Sequence, residues 1–484
     1  MVEGDAGKDA SRIGAALARS EPVAIARQRL VGGSEDRAWI VGGALRDAAR
    51  GMPITDVDLA IAGDAAQAAR GIAGAAPAHA FELSDEFATW RVAARDGTWT
   101  LDVAGLRAPT IEEDLALRDL TVNAVAMPLS GGEPIDPFNG LADLDAGVLR
   151  AVSERSFADD PLRVLRAARQ GAGLGLAPDD ETLRLARGQA ALAGTPAGER
   201  QFAELVAMLS GPLPLRALEL LEMFGVTQTV LPELEALRGV GQSANHHLDA
   251  YGHTLEVLRR TLDVERDLDR YAGDAAEAVG RLLAEPLADG MTRRDGIRFA
   301  ALLHDIGKPA TRIEHDGWVS FRGHDSVGAD MVRALCARFR TSRRFASTVA
   351  SMTRDHLVLG FMVNERPLPP RRILDYLHRT GEHAVDTTLL TIADRLSAQG
   401  GGVPQEAIEG HLDLAREMLI AAVQRGRGAP EPLLRGDEIA AEAEIPPGPR
   451  LGEAVRELEA AQYAGEVGSR AEAVAHLREW QRGR

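Results

Sequence analysis

The sequence predicts an α+β protein in which a mixed α/β domain at the N-terminal end is followed by a part that is nearly all helical. Short apolar runs separated by turn residues, at 39–41, 57–61, 90–94 and 99–103, indicate the strands. After Phe157 these strand signals disappear, and helical patterns with Gly and Pro breaks take over. Histidines mark a further module, because seven of the twelve lie between positions 246 and 356.

The length and composition indicate a globular protein of several domains. A chain of 484 residues exceeds one ordinary hydrophobic core, so three or four domains are expected. With 45% apolar and 26% charged residues, no apolar run approaches the ~20 residues of a membrane helix. Cys336 is the single cysteine, and the acidic N-terminus lacks the apolar segment of a secretory signal. We therefore expect a cytoplasmic protein with no membrane partner.

The net charge of −17 argues at first sight against a nucleic-acid partner. However, Lys8 and Lys308 are the only lysines, so nearly all the positive charge belongs to arginine, which forks onto phosphate and stacks on bases. A local cluster of arginines can therefore bind nucleic acid even though the net charge of the whole chain is negative.

The breaks in pattern divide the chain into five predicted segments. These are 1–30, an N-terminal extension without assigned chemistry; 31–150, the mixed α/β domain; 151–240, a helical neck; 241–400, the histidine-rich helical module; and 401–484, a small helical tail.

Two carboxylates and a glycine turn form the first candidate site. Gly42 and Gly43 lie where a strand passes into a helix, and free backbone N–H groups at such a place favour phosphate. Asp56 and Asp58 share one face of a strand because side chains alternate along it. Paired carboxylates attract magnesium, and Asp102 on another candidate strand would complete the cluster. Taken alone, the Asp-x-Asp pattern is more often a solvated strand edge.

The segment 42–47 (GGALRD), followed by Asp56-Val57-Asp58, resembles the signature of class II tRNA nucleotidyltransferases and bacterial poly(A) polymerases. The resemblance implies that Gly42, Gly43 and Arg46 hold the triphosphate. The segment 117–124 (LRDLTVNA) is similar to a family motif whose residues contact the ribose and phosphates of the incoming nucleotide. That likeness assigns these roles to Arg118, Asp119 and Asn123.

The segment 159–163 (DDPLR) resembles the family motif that reads cytosine and adenine without a template, which assigns base selection to Asp160 and Arg163. Asp accepts and Arg donates hydrogen bonds, so the pair can imitate a complementary base edge. An ordinary capped helix N-terminus is the alternative interpretation. Arg166 continues a basic stripe that would follow the RNA 3′ end.

Two departures from the family pattern bear on the product. Leu117 stands where the family usually has arginine, which would remove one contact to phosphate or ribose. Only a few residues separate Arg107 from Glu113, whereas full CCA-adding relatives carry a longer flexible loop there. Its absence resembles relatives that add only CC, so we expect CC addition.

The segment 304–309 (HDIGKP) resembles the core of the HD phosphohydrolase superfamily. The likeness implies a metal site, and imidazole with carboxylate suits Mn, Ni, Co or Zn, or a mixed site with Mg. A lone helical histidine is more often a buried or surface residue, but a His-Asp pair with partners in the right order favours ligands. The implied ligands are His253, His304, Asp305 and Asp394, with His324 and His356 for a second metal.

The leading hypothesis is an enzyme that transfers CMP, and possibly AMP, from CTP or ATP to the tRNA 3′ end with Mg²⁺ at Asp56 and Asp58. The competing hypotheses are a poly(A) polymerase and an HD phosphohydrolase whose head has become an RNA-binding module. A non-enzymatic tRNA-binding protein would leave both acidic clusters unexplained.

Overall fold

The structure is a computed structural model that describes residues 3–31, 37–84, 88–242, 247–316, 318–400, 404–428 and 430–482. Contacts divide the chain into two compact units: Met1–Pro196 with Gly211–Val230, and Ala197–Ser210 with Leu231–Arg484. The described helices in chain order are α1 Glu3–Ala18, α2 Glu21–Leu30, α3 Gly43–Ala49, α4 Ala65–Ala73, α5 Ile111–Ala116, α6 Gly140–Ala146, α7 Leu162–Leu174, α8 Asp180–Gln189, α9 Gly198–Leu209, α10 Pro214–Met223, α11 Thr227–Val230, α12 Pro232–Glu235, α13 Ala250–Arg266, α14 Leu268–Ala272, α15 Ala276–Leu283, α16 Arg293–Leu303, α17 Lys308–Thr311, α18 His324–Arg338, α19 Arg343–Asp355, α20 Val358–Met362, α21 Pro370–Thr380, α22 Ala384–Ser397, α23 Gln405–Gly426, α24 Gly436–Glu442, α25 Pro449–Tyr463 and α26 Arg470–Arg482. None of them is long and apolar enough to cross a membrane.

The strands confirm the mixed N-terminal domain. They are β1 Ala38–Val41, β2 Asp56–Ile61, β3 Ala78–Ser84, β4 Thr89–Ala94, β5 Thr100–Gly105, β6 Ala126–Pro128, β7 Val148–Leu149, β8 Ala177–Pro178, β9 Pro286–Ala288, β10 Met291–Thr292, β11 Ile313–His315 and β12 Trp318–Ser320. Six of them form one sheet in the order β3-β4-β5-β2-β1-β6, in which β2 runs parallel to β5. The mainly helical structure expected after Phe157 is confirmed; the strands found there are short, namely β8, which pairs with β7, and the hairpins β9–β10 and β11–β12.

One face of the six-stranded sheet is covered by helices α1 to α4. Leu59 and Leu101 pack there in one buried core with Ile13, Leu17 and Val23 of the first two helices. Burying such side chains contributes about 1.5–3 kcal/mol each. Helices α1 and α2 therefore form an integral layer of this domain.

The second unit is built around helices α13, α16, α19 and α22. Phe202 of α9 packs against Phe299 of α16 and Phe345 of α19, with ring centroids 5.6 and 5.1 Å away. Helix α9 therefore belongs with this unit by packing, and the segment predicted as one neck, 151–240, is shared between the two units.

The tail of the second unit has a small core of its own. Ile439, Leu458 and Leu477, from α24, α25 and α26, are buried together. Arg371 of α21 joins α25 to the rest of the unit through an ion pair with Glu457, at 2.9 Å.

Candidate active site and metal centre

The candidate carboxylates lie together on the open face of the sheet. Val57 and Leu59 of β2 are buried against the helices, so Asp56 and Asp58 project from the opposite face, as the alternation predicted. Asp58 is paired in register with Asp102 on the parallel strand β5. The structure therefore places all three predicted carboxylates on one face.

Neighbouring side chains already bind two of these carboxylates. Arg91 of β4 donates to both oxygens of Asp102, at 2.7 and 2.8 Å. Thr100 donates its hydroxyl to Asp56 Oδ1 at 2.5 Å. The three carboxylates are not among the described clusters whose ligand atoms all lie within 4.8 Å of one another. A metal contact from Asp102 would compete with Arg91, and its role as third ligand stays a prediction.

Asp58 carries the electrostatic signature of a crowded acidic site. Its side chain meets solvent, but the surrounding protein raises its pKa above the usual 3.8, and the negative charges of Asp102 and Asp56 raise it further. Arg118 and Arg166 oppose this shift. A divalent cation would relieve the same repulsion, and the oxygen-only donor set suits magnesium.

Gly42 allows the turn before α3 to approach these carboxylates. Its backbone has φ +70° and ψ −127°, a conformation that side chains other than glycine rarely adopt. A Cβ atom at this position would lie 3.0 Å from Nη1 of Arg118 and 3.7 Å from Oδ2 of Asp58. The Gly42 N–H donates to the Val125 carbonyl, so this particular N–H does not point to a ligand. The glycine therefore makes room for Arg118 beside Asp58.

Asn123 and Asp119 form a buried network that supports the site from behind. Asn123 accepts a hydrogen bond from Arg46 at 2.9 Å and donates to Asp119 and Gln170, at 2.9 and 2.8 Å. Asp119 also accepts from Nε of Arg166, at 3.1 Å. These contacts use both N–H groups and the oxygen of the Asn123 amide. The structure therefore favours a positioning role for Asn123 and Asp119 over the predicted direct nucleotide contact.

Burial alone would raise the pKa of Asp119, but Arg166 and the hydrogen bond from Asn123 lower it below the usual value. The group is therefore a carboxylate that fixes Arg166. Arg118 is partly buried, and its Nε, which is fully buried, has no hydrogen-bond partner among the described residues. A buried unpaired donor is costly, and a phosphate oxygen would satisfy it.

The predicted base-reading pair lies at the start of α7. Asp160 accepts a hydrogen bond from the Leu162 N–H at 3.1 Å, which is the capping contact of the alternative interpretation. Arg163 donates to the carbonyls of Ser156 and Leu117, both at 3.0 Å. These two bonds fix the guanidinium and leave further N–H groups of its fork for a ligand. Leu117 contributes its backbone here, while its side chain is exposed.

The short connection between β5 and α5 is tightly held. Arg107 donates to Asp114 through its backbone N–H and its guanidinium, at 3.1 and 2.9 Å. Asp114 is buried, which would raise its pKa, but the hydrogen bonds from Arg107 lower the pKa below its usual value. The segment 106–110 is therefore fixed to the helix that follows it. It differs in this from the longer flexible loop expected in full CCA-adding relatives.

The second unit brings all the predicted histidine and aspartate ligands together. His253 lies on α13, His304 directly after α16, His324 at the start of α18, His356 directly after α19, and Asp394 on α22. They form two clusters, His253-His304-Asp394 and Asp305-His324-His356, and the ligand atoms within each lie within 4.8 Å of one another.

Backbone contacts orient three of the rings. Nδ1 of His304, His324 and His356 donates to a backbone carbonyl, at 2.9, 2.7 and 2.6 Å. This bond leaves Nε2 as the atom that faces the cluster, an arrangement typical of metal-ligating histidines. Nε2 of His324 lies 3.2 Å from Asp305 Oδ1, and Nε2 of His304 lies 3.1 Å from Oδ2. The imidazole and carboxylate donors of the two clusters would therefore suit divalent metal ions, and Asp305 lies next to a histidine of each cluster.

Lys308 completes the centre with a positive charge. Its Nζ lies 2.6 Å from Asp305 Oδ2. Burial would raise the pKa of Asp305, but His304 and Lys308 lower it well below the usual 3.8, so the group is a carboxylate. Asp355, which precedes His356, pairs with Arg379 at 2.9 Å.

Three family models match successive parts of this chain. Residues 38–150 match the Poly A polymerase head domain, 175–237 match the probable RNA and SrmB-binding site of polymerase A, and 250–399 match the HD domain. A protein of Deinococcus radiodurans named A-adding tRNA nucleotidyltransferase is 36% identical over 450 residues, covering 92% of this chain and 95% of the relative. This chain belongs to the tRNA nucleotidyltransferase and poly(A) polymerase family.

Other members and solved structures agree with this membership. The multifunctional CCA protein of Methylococcus capsulatus is 33% identical over 407 residues, 80% of this chain and 87% of that protein. The Thermotoga maritima CCA-adding enzyme complexed with tRNA has the same fold, with a TM-score of 0.61, 19% identity, and coverage of 97% and 98% of the two chains. Transferase and HD domains of this kind typically bind divalent metals.

Several functional neighbours were missed by sequence reasoning. Arg91 and Gln170 are far in sequence from the residues that they hold, and no motif indicated them. Asp114 was not assigned a role, although its position four residues before Arg118 on a predicted helix was a usable signal of an ion pair.

Proposed function

We propose that this protein transfers nucleoside monophosphates from nucleoside triphosphates to the 3′ end of tRNA. The observation that carries the proposal is the placement of Asp56 and Asp58 on one open strand face, next to the turn at Gly42 and the partly buried guanidinium of Arg118. The names of the Deinococcus and Methylococcus relatives support tRNA as the acceptor.

The residues of the head have separable roles in this reaction. Asp56 and Asp58, with Asp102, would hold Mg²⁺, which when bound activates the attacking hydroxyl and neutralises phosphate charge. Arg118 and Arg46 bind the triphosphate, because they are held beside the carboxylates by Asn123. Asp160 and Arg163 select the base. Fixing both reactants in this geometry supplies much of the rate.

The short, pinned segment 106–110 supports synthesis of only part of the CCA end. Arg107 and Asp114 hold it, so it lacks the freedom that a pocket switching from C to A would require. CC addition was expected from this feature. The relative that matches 92% of the chain is named A-adding, which favours the terminal A instead. We therefore propose partial addition, with ATP as the first nucleotide to test and CTP as the second.

The test uses three tRNA transcripts, ending before CCA, after C and after CC, each with ATP, CTP or both. We expect one triphosphate to account for nearly all extension: ATP on the transcript that ends after CC, or CTP on the two shorter transcripts. Full CCA on the first transcript would refute partial addition, and long A tails would support a poly(A) polymerase. Asp56→Asn and Asp58→Asn should each abolish extension, whereas Asp96→Asn, in an exposed turn, should not. Undiminished extension by both site variants would refute the transferase proposal.

A second candidate function rests on the two ligand clusters of the second unit. We propose a phosphohydrolase there, with Mn, Ni, Co, Zn or Mg held by His253, His304, Asp305 and Asp394, and a second ion by His324 and His356. Oriented Nε2 atoms support it. Hydrolysis of 4-nitrophenyl phosphate by the metal-supplemented protein, lost in His304→Ala, is the test.

A cytoplasmic location for both reactions agrees with the single buried Cys336, whose thiol pairs with no other cysteine.

A further inference from the structure

The cavity beside the metal ligands extends beyond the HD domain itself. It measures about 760 Å³ and is lined by Asp305, His324, His356 and Asp394 together with His411 of helix α23. The family match for the HD domain ends at residue 399, so α23 supplies a wall residue from outside it.

His411 presents one unused nitrogen in this wall. Its side chain is 4% exposed, and its ring makes a hydrogen bond to the backbone of Thr391. Nε2 has no hydrogen-bond partner among the residues that the structure describes. Burial, reinforced by the positive charge of Arg395, lowers the pKa of His411 to about 4, so the ring is neutral at pH 7. With its N–H given to the Thr391 carbonyl, Nε2 is a hydrogen-bond acceptor.

Arg395 supplies a hydrogen-bond donor in the same cavity as the acceptor of His411. It follows Asp394 on α22 and lines the same cavity, and its buried Nε has no hydrogen-bond partner within the described part of the chain. Leaving a buried donor and a buried acceptor unpaired is costly, so both point to a ligand that satisfies them. A phosphate oxygen suits the guanidinium, and a hydroxyl suits the neutral imidazole.

We propose that Arg395 and His411 form a ribose-phosphate subsite, in which Arg395 donates to the phosphoester and His411 accepts from the neighbouring ribose hydroxyl. The inference rests on the proposed phosphohydrolase function. Hydrolysis adds water across the P–O ester bond: the water oxygen bonds to phosphorus, and a proton goes to the leaving ribose oxygen. The subsite would therefore distinguish ribonucleotides from deoxyribonucleotides and from simple aryl phosphates.

The test compares adenosine 3′-phosphate, 2′-deoxyadenosine 3′-phosphate and 4-nitrophenyl phosphate as substrates of the metal-supplemented protein. His411→Ala should lower kcat/KM about tenfold for the ribonucleotide, the value of one hydrogen bond, and change the other two less than about twofold. Arg395→Met should lower kcat/KM for all three substrates, because each of them carries the phosphoester to which Arg395 donates. His315→Ala is the control, because His315 is an exposed hairpin residue.

A second measurement separates the subsite from the hydrolase. Calorimetry on the EDTA-treated protein should show tighter binding of adenosine 3′-phosphate than of its 2′-deoxy form, and His411→Ala should abolish that preference. Equal losses on all three substrates, or an unchanged ribose preference, would overturn the subsite. If the wild type hydrolyses none of them, the hydrolase proposal fails, and the calorimetric preference alone decides whether the subsite exists.

Discussion

Replacing Gly42 by alanine tests the geometry of the transferase site most directly. The backbone at φ +70° and ψ −127° is one that alanine adopts at a cost of about 1–3 kcal/mol. The new Cβ would also lie 3.0 Å from Nη1 of Arg118, so this partly buried guanidinium must shift by a few tenths of an ångström. Displacements that approach 1 Å at a reacting centre can cost about 100-fold in rate. We expect Gly42→Ala to lower kcat/KM for nucleotide addition by about 10- to 100-fold.

Gly51→Ala is the matched control, because Gly51 also has a positive φ, +69°, but a Cβ there meets nothing within 4 Å. The assay measures single-nucleotide extension of tRNA together with urea unfolding of each variant. Both substitutions should destabilise the protein by comparable amounts, and only Gly42→Ala should impair transfer. Equal activity of the two variants would show that Arg118 does not need the space left by the glycine.

Three further predictions concern the supports of the two sites. Asp114 has a folded-state pKa below 3.8, so its carboxylate stabilises the protein above that pH, and this stabilisation is lost as the pH falls through the lowered pKa. The urea midpoint of Asp114→Asn should therefore lie below the wild-type midpoint at pH 7, and the difference should shrink as the pH falls below 3.8; a constant difference would contradict this. Asn123→Ala should reduce stability by about 1–3 kcal/mol and raise KM for the nucleotide, because Arg46 loses its partner; an unchanged KM would exclude the positioning role. EDTA should lower the melting temperature of the wild type, and added Mn²⁺ or Ni²⁺ should restore it, because bound metal stabilises the folded state. The melting temperature of His304→Ala should not recover in this way. Equal responses of the two proteins would place the metal elsewhere.

Local patterns were sufficient to predict the parts of the sites that lie within one element. Alternation along β2 placed Asp56 and Asp58 on one face, and the structure confirms that placement through the burial of Val57 and Leu59. The order of His253, His304 and Asp394 along the chain was sufficient to expect one cluster. In both cases the information is local, or it is carried by a family motif.

Contacts between distant segments could not be predicted in the same way. The bidentate bond from Arg91 to Asp102 depends on the register of β4 against β5, which no single-sequence pattern fixes. The first two helices gave no functional signal, yet Ile13 and Leu17 are buried in the head core. His411 lies outside the recognised motifs and enters its cavity only through the packing of α23 against α22.

The net charge of −17 is compatible with an RNA substrate because the arginines near the transferase site are held in different ways. Arg166 is bound to Asp119, and that ion pair reduces its net charge. Arg163 is held by two backbone carbonyls, which are neutral, so its positive charge acts on whatever enters the site. Binding that depends on such charges weakens with salt in proportion to the phosphates contacted. The acidic excess of the whole chain thus sets its behaviour in bulk solvent, whereas Arg118 places positive charge next to Asp58 and Arg163 adds positive charge at the start of α7.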